Sequence, residues 1–209
     1  NQTIITAEYQ SAGRGRYERK WISKIAHDIT VSILYFFPKN FNYEYLPLIV
    51  AIAINRLFKD FNIITKIKWP NDLYWRDRKA GGILIENVVQ GKNWKWAVVG
   101  IGININQTKY TTAIKNPVSL KQITGKDFDV IELAKILHGL LMKYITGLKK
   151  DDSIITAYNE HLYKLNHLVT LKKGNEIFDT VIKEVTATGR LVTVDAVERQ
   201  FDFGEVEWL

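Results

Sequence analysis

Apolar and polar positions change rhythm several times along the chain, and each change marks an element. Residues 3–9 and 29–37 are rich in β-branched and aromatic side chains and read as strands, the second stopped by Pro38-Lys39-Asn40. Over 46–61 the apolar positions return every three or four residues. Pro47 suits a first helical turn and Asn62 closes the pattern, so this is a buried helix. Three extended segments follow, 64–69, 82–89 and 94–106, the last two joined by the hairpin turn Gln90-Gly91-Lys92-Asn93. Asp129 and Glu132 then form a capping-box pattern ahead of Leu133, Ile136, Leu137, Leu140, Leu141, Tyr144, Ile145 and Leu148, the clearest helix in the chain. Lys149-Lys150-Asp151-Asp152 breaks it, and Ser153 opens a second helix with Ile155, Tyr158 and Leu162 on one face.

After Leu165 the texture changes to short alternating segments, 168–171, 176–185, 191–194 and 199–203, punctuated by Lys173-Gly174-Asn175 and Thr188-Gly189-Arg190. That predicts a small β module, too short for a large core of its own and docked on what precedes it. Strands that follow one another without regular helical crossovers predict a mixed or antiparallel sheet rather than a parallel dinucleotide-binding one. The expectation is therefore an α+β protein, with a mixed β-sheet packed on helices over 1–164 and the β module over 165–209.

Composition narrows the classes. In 209 residues 46% are hydrophobic, enough for a core, yet the longest apolar stretch, 48–54, is too short to span a membrane. No charged-then-apolar leader opens the chain, and there is no cysteine, which fits a reducing cytoplasm and removes thiol chemistry. His27, His138, His161 and His167 lack zinc-ligand spacing. The net charge of +7 favours polyanions, whether nucleic acid, nucleotide phosphates or an acidic partner.

Four stretches carry candidate chemistry. In Gln10-Ser11-Ala12-Gly13-Arg14-Gly15-Arg16 two glycines flank an arginine and a second arginine follows. The backbone N–H groups and two guanidinium forks are expected to point the same way, a cradle for phosphate or carboxylate; a solvated basic turn is the other reading. Lys68-Trp69-Pro70-Asn71-Asp72-Leu73-Tyr74 ends a strand, where a loop presents Lys68, Asn71 and Asp72 to a ligand or simply makes a good turn over a buried tryptophan. Lys79 precedes Gly81-Gly82 and an apolar strand, so its amine can swing over bare backbone or extend into solvent. Along Gly100-Ile101-Gly102-Ile103-Asn104 glycines line one face, with Asn104 able to bond a heterocycle edge. Neither a Walker A loop nor the GxGxxG dinucleotide fingerprint is complete: Glu86 and Leu120 stand where the first Walker glycine belongs, and Ile105 where the third dinucleotide glycine does.

Taken in order, Glu8-Tyr9-Gln10 through Arg16, Lys20-Trp21-x-Ser23, Lys68-Trp69-Pro70-Asn71-Asp72-Leu73, Lys79-x-Gly-Gly-Ile-Leu-x-Glu86 and Gly100 to Asn104 closely resemble the catalytic domain of biotin protein ligases, also called biotin–[acetyl-CoA-carboxylase] ligases. The closing Phe203-Gly204-Glu205-Val206 resembles that family's SH3-like C-terminal module. The resemblance implies the class II aminoacyl-tRNA synthetase-like fold of biotin and lipoate ligases followed by a small SH3-like β-barrel. It implies ATP and Mg²⁺ as co-substrate and ion, biotin as substrate, a biotin carboxyl carrier protein as acceptor, a cytoplasmic location and a homodimer. It implies roles too: Gln10, Gly13 and Arg14 at the biotin rings; Arg14, Gly15 and Arg16 as a loop closing over the adenylate; Arg16 and Arg19 on phosphates. Lys79 would meet the biotin carboxylate and α-phosphate, and Asn104 the adenine. Trp21 would belong to the ATP site, with Trp69, Asn71 and Asp72 beside nucleotide and metal. Arg16 and Lys79 are the implied catalytic pair, with the metal ligands unassigned.

The chain departs from the family's pattern in several places. The upstream Ser/Thr-Thr-Asn segment that bonds the biotin ureido group is not in this sequence, nor is a helix-turn-helix region, so repressor activity is not expected. Glu18 and Asp179 stand where glycines are usual, and Ile25-Ala26-His27-Asp28 replaces a glycine-containing stretch. Two rivals stand beside the biotin reading. Lipoate protein ligase shares the fold but not these motifs. A nucleic-acid-binding module would use the basic charge and lysines such as Lys172 and Lys173.

Overall fold

The computed structural model describes residues 2–16, 19–36, 43–90, 93–111, 115–147 and 153–209. Strands β1 (Gln2–Thr6), β2 (Ile29–Phe36), β3 (Lys66–Lys68), β4 (Asp72–Trp75), β5 (Arg78–Gln90) and β6 (Asn93–Ile103) form one sheet in the order β1-β2-β6-β5-β4-β3. Each neighbouring pair is antiparallel, so the sheet is not mixed: β3 to β6 follow one another as a meander, and β6 then pairs with β2 across the intervening helix α1 (Leu46–Lys59) and β3–β5.

Alternation along the strands divides the sheet into two faces. On β2 and β6 the side chains of Ile29, Val31, Ile33 and Tyr35, and of Ala97, Val99, Ile101 and Ile103, are buried on one of them. Helix α1 (Leu46–Lys59) and helix α3 (Val130–Gly147) pack on that face and on each other. Buried residues run all round α1, from Leu46 to Phe58, which explains its unbroken apolar stretch. Beyond its cap at Asp60 the chain turns at Asn62, in left-handed backbone (φ 60°). The first turn of α3 is held by Asp129, whose Oδ1 accepts from the N–H groups of Ile131 and Glu132.

Several local expectations needed correction. β4 lies where the sequence suggested only a turn, and β3 is shorter than the segment 64–69, with Ile64 exposed and Pro70, which has no N–H for the ladder, just past its end. Helix α2 (Leu120–Thr124) was not expected, although Ser119 and Gln122 form a reciprocal capping box at its start. Helix α4 (Ser153–Glu160) begins where expected. The hairpin turn at 91–92, the stop at 38–40, Leu148 and the charged break at 149–152 lie outside the described residues.

The C-terminal strands β7 (Leu168–Lys173), β8 (Glu176–Val185), β9 (Leu191–Val194), β10 (Glu198–Phe201) and β11 (Glu207–Trp208) make a second antiparallel sheet, ordered β10-β9-β8-β7-β11. Trp69 docks it: its Nε1 donates to Gly189 O at 2.9 Å, its carbonyl accepts from Trp208 Nε1 at 3.0 Å, and its ring meets Phe203 edge-on. Asn159 of α4 adds a two-way bond to the backbone of Val185. Leu171, Ile182, Val185, Leu191 and Phe201 join the same hydrophobic cluster as α1.

Candidate active site

The sheet face opposite the helices forms the floor of a cavity of about 1380 Å³. Register builds that floor. Lys68 pairs with Asp72, Asp72 with Gly82, Gly82 with Gly102 and Gly102 with Thr30, so these five positions form one row across β3, β4, β5, β6 and β2. Two further rows set Leu84 beside Gly100 and Ser32, and Glu86 beside Val98. Gly102 is bare for a reason: a Cβ there would overlap the indole of Trp21, which lies against the strand.

The loop that carries Trp21 folds as a tight hairpin. Arg14 bridges Lys20, Trp21 N–H donates to Gly13 O at 2.9 Å, and Gly15 N–H donates to Arg19 O at 2.6 Å. That corrects the expected backbone cradle, because the Gly15 donor is spent inside the loop. The two guanidinium groups also diverge. Arg14 reaches Glu86 at 3.2 Å, an exposed pair worth little in water, whereas Arg16 donates to Asn71 Oδ1 at 3.5 Å and stacks 4.5 Å from the centre of the Phe203 ring. Gln10 and Arg19 line the same cavity, and Trp21 Nε1 is buried there without an acceptor among the described residues.

Lys79 owes its direction to a bulge. β4 and β5 slip register between Leu73 and Tyr74, so Lys79, three residues before Gly82, falls on the same face instead of the opposite one. Its amine folds over Gly82, where a Cβ would touch it, and meets Asp72 Oδ1 at 2.6 Å in an ion pair. Asn71 Nδ2 donates to Ile83 O at 2.8 Å, which fixes that loop against β5.

Asn104 is not on the cavity wall. It is 5% exposed, and its amide donates to Lys79 O and Val118 O, both at 3.1 Å. The strand ends at Ile103 and the chain dives beneath it, so Asn104 secures the backbone that carries Lys79 instead of facing a heterocycle. Trp69 does line the cavity, while its indole N–H and its carbonyl dock the C-terminal sheet. The structure thus brings Gln10, Gly13, Arg14, Gly15, Arg16, Arg19, Trp21, Asn71, Asp72 and Lys79 to one cavity and leaves Asn104 behind it.

Three further groups join them. Lys68 sits among the rings of Tyr74, Trp208 and Tyr163, at 4.9, 5.1 and 5.7 Å. Burial lowers its pKa, partly offset by the charge of Asp72. Burial pushes the Tyr74 phenol up to about 12, with the charge of Asp72 adding to it. The tail from Gly204 to Leu209 closes one side of the cavity, and Lys115 and Asn116 line it as well. Sequence spacing had no means of finding the aromatic cage, since Tyr74 lies in β4, Tyr163 in the connection between α4 and β7, and Trp208 in β11. No group of three His, Cys, Asp or Glu among the described residues suits a metal ion, and Asp72 is the acidic side chain nearest the amine of Lys79.

A glycine-backed floor, a hairpin of arginines, one folded lysine and a wall from a second sheet define a pocket for an anionic ligand with a flat apolar part. Residues 1–104 match the Biotin/lipoate A/B protein ligase family, and the chain carries a domain of that family. The bifunctional ligase/repressor BirA of Escherichia coli strain K12 is 33% identical over 135 residues, 63% of this chain and 42% of that protein. The biotin–protein ligase of Schizosaccharomyces pombe is 31% identical over 210 residues, 88% of this chain and 33% of that protein. Among solved structures, the biotin protein ligase from Aquifex aeolicus in complex with biotin and ATP superimposes with a TM-score of 0.84 at 27% identity, covering 99% of this chain and 88% of that one. The chain spans less than half the length of the curated relatives it matches.

Proposed function

We propose that the protein activates biotin with ATP to biotinyl-5′-AMP and transfers the biotinyl group to a lysine of a biotin carboxyl carrier protein. The observation that carries this reading is the single cavity in which Lys79, Arg16 and Arg19 face a floor of Gly82, Gly100 and Gly102. A carboxylate must attack the α-phosphorus of ATP, so two anions have to meet and pyrophosphate has to leave. Fixed cations beside a bare floor lower the cost of that approach. Lys79, held over Gly82, is the group for the biotin carboxylate and α-phosphate, and Arg16 and Arg19 serve the phosphates. Gln10, Gly13 and Arg14 belong at the biotin rings, and Trp21 covers Gly102 between the two halves of the site. The adenine contact, expected of Asn104, passes to other residues of the wall.

Asp72 and the neighbouring Asn71 are the residues that would hold a Mg²⁺, since this ion is usually held by one or two carboxylates with substrate phosphates. Such an ion would supply charge neutralisation on the phosphates. The adenylate is a mixed anhydride that water would hydrolyse, and the Gly13–Trp21 hairpin, closed on Asn71 and Phe203 through Arg16, is placed to shield it. The acceptor amine then attacks the carbonyl carbon, AMP leaves, and the amine proton passes to solvent.

The reading includes two units that meet at residue 164, a cytoplasmic location in keeping with the lack of cysteine, and a homodimer; no helix is long and apolar enough to cross a membrane among the described residues. Isotope exchange between labelled pyrophosphate and ATP tests the first half-reaction. Exchange dependent on biotin is expected. Exchange dependent on lipoate instead would move the protein to the lipoate branch of the family.

A further inference from the structure

Lys79 lies where its sheet runs out of strand. β6 ends at Ile103, which pairs with Gly81, so Lys79 and Ala80 extend beyond it with no strand of the sheet on that side among the described residues. On the other side the bulge at Leu73 and Tyr74 interrupts the ladder. The backbone of Lys79 bonds instead to residues 116–118, in an isolated parallel bridge with Pro117: Lys79 N–H donates to Asn116 O at 2.7 Å, and Val118 N–H donates to Lys79 O at 2.8 Å. One bridge is too little pairing to hold a segment in place by itself. Arg78 supplies the hold. Its Nε and Nη2 both donate to Pro117 O, at 3.1 and 2.6 Å, and Nη2 also donates to Gln122 Oε1 at 3.2 Å. Gln122 in turn accepts from Ser119 N–H and donates from Nε2 to Thr108 O, each at 3.1 Å. Arg78 is absent from the lining of the cavity, to which Lys79, Lys115 and Asn116 all contribute, so its planar fork is spent on the segment behind them. A fork that meets one carbonyl twice and an amide once is arginine's geometry, where lysine offers a point charge.

We propose that Arg78 is a positioning residue for Lys79: it clamps the 116–118 segment against the start of β5, so that the backbone of Lys79 and the Lys115–Asn116 wall of the cavity are held as one unit. This deepens the ligation reading above and rests on the role given there to Lys79. The amine of Lys79 is useful only while it stays folded over Gly82, where the carboxylate and the α-phosphate are to meet. Without the clamp the segment that replaces β6 beside Lys79 loses its side-chain anchor, and a misplacement on the order of 1 Å at a reacting centre costs about a hundredfold in rate. Arg78 touches neither ligand in this arrangement, so it acts on the chemical step through its neighbour and not on the affinity for biotin.

The test compares the whole protein with Arg78→Met and Arg78→Lys by two readouts. Amide hydrogen exchange followed by mass spectrometry should be about tenfold or more faster in Arg78→Met for peptides covering 78–80 and 115–119, with α1 at the parent's rate. In saturation kinetics of biotin-dependent isotope exchange between pyrophosphate and ATP, kcat should fall about tenfold or more while KM for biotin stays within a factor of about two. Arg78→Lys, which keeps one donor, should recover part of both losses. Amide exchange equal to the parent's in both peptides overturns the proposal, as does an unchanged kcat, or a loss of protection spread evenly over the chain. A parent that gives no biotin-dependent isotope exchange defeats the ligation reading instead, and the amide exchange then decides by itself whether Arg78 clamps the segment to Lys79.

Discussion

Arg16 reaches across from the hairpin to the ring of Phe203, which makes the contact a direct measure of how far the C-terminal sheet holds the loop. Phe203→Leu keeps an apolar body beside Trp69 but removes the π face 4.5 Å from the guanidinium. Phe203 is 47% exposed, so the solvent-accessible end of the cation–π scale applies, about 0.5–1 kcal/mol. At about 1.4 kcal/mol per factor of ten, that corresponds to adenylate release roughly two- to fivefold faster if the contact is made in the closed loop. Part of any effect will come from the Trp69 edge contact, which a double-mutant cycle with Arg16→Ala removes. The assay is retention of labelled adenylate on the protein through rapid gel filtration, for the parent, both single variants and the double variant. A coupling energy of zero between positions 16 and 203 would refute the argument that the second sheet restrains the hairpin.

Other outcomes follow from the same geometry. Arg16→Gly should still form the adenylate but release it, so lysines on bystander proteins become labelled in a streptavidin blot; retention equal to the parent's would remove the closing role from this loop. Gly102→Ala places a methyl group inside the Trp21 indole, so the ring must leave the strand at a cost of about 1–3 kcal/mol, seen as a shift in tryptophan emission and weaker biotin binding. Asp28 is buried, with Oδ1 accepting from Ile105 N–H and Oδ2 without a hydrogen-bond partner among the described residues, and desolvation raises its pKa to about 6. A carboxyl raised in the folded state costs stability above that pKa, and the cost disappears as pH falls from 6 toward the unfolded value near 3.8. Chemical denaturation at pH 7.5 and pH 4 should therefore show the parent gaining about 2 kcal/mol relative to Asp28→Asn at the lower pH. A pH-independent difference between the two proteins would count against a raised pKa.

Much of the site was legible because its parts are local. The arginine hairpin, the turn at Trp69-Pro70-Asn71 and the lysine before Gly81-Gly82 each carry their own backbone requirements, and the structure brings them to one cavity. What failed was whatever depends on partners distant in sequence. The divergence of Arg14 from Arg16 hangs on Glu86 and Phe203. Asn104 read as a ligand because its strand is glycine-lined, but side-chain direction at a strand end depends on where the chain goes next, here toward Val118. In the fold, α1 and α3 announced themselves by period, while β4 and β11, at four and two residues, are shorter than any alternation can reveal. The sequence allowed a mixed or an antiparallel sheet; that β6 pairs with β2, across α1 and β3–β5, is displayed only by tertiary pairing.

The central claim is that this cavity joins biotin to the α-phosphate of ATP. Mass spectrometry of the small molecules that stay bound after incubation with biotin, ATP and Mg²⁺ tests it most directly. The account predicts biotinyl-5′-AMP on the parent protein and its loss in Lys79→Met. Recovery of unreacted ATP alone from a folded protein that binds biotin, or of a lipoyl adenylate when both acids are offered, would contradict it.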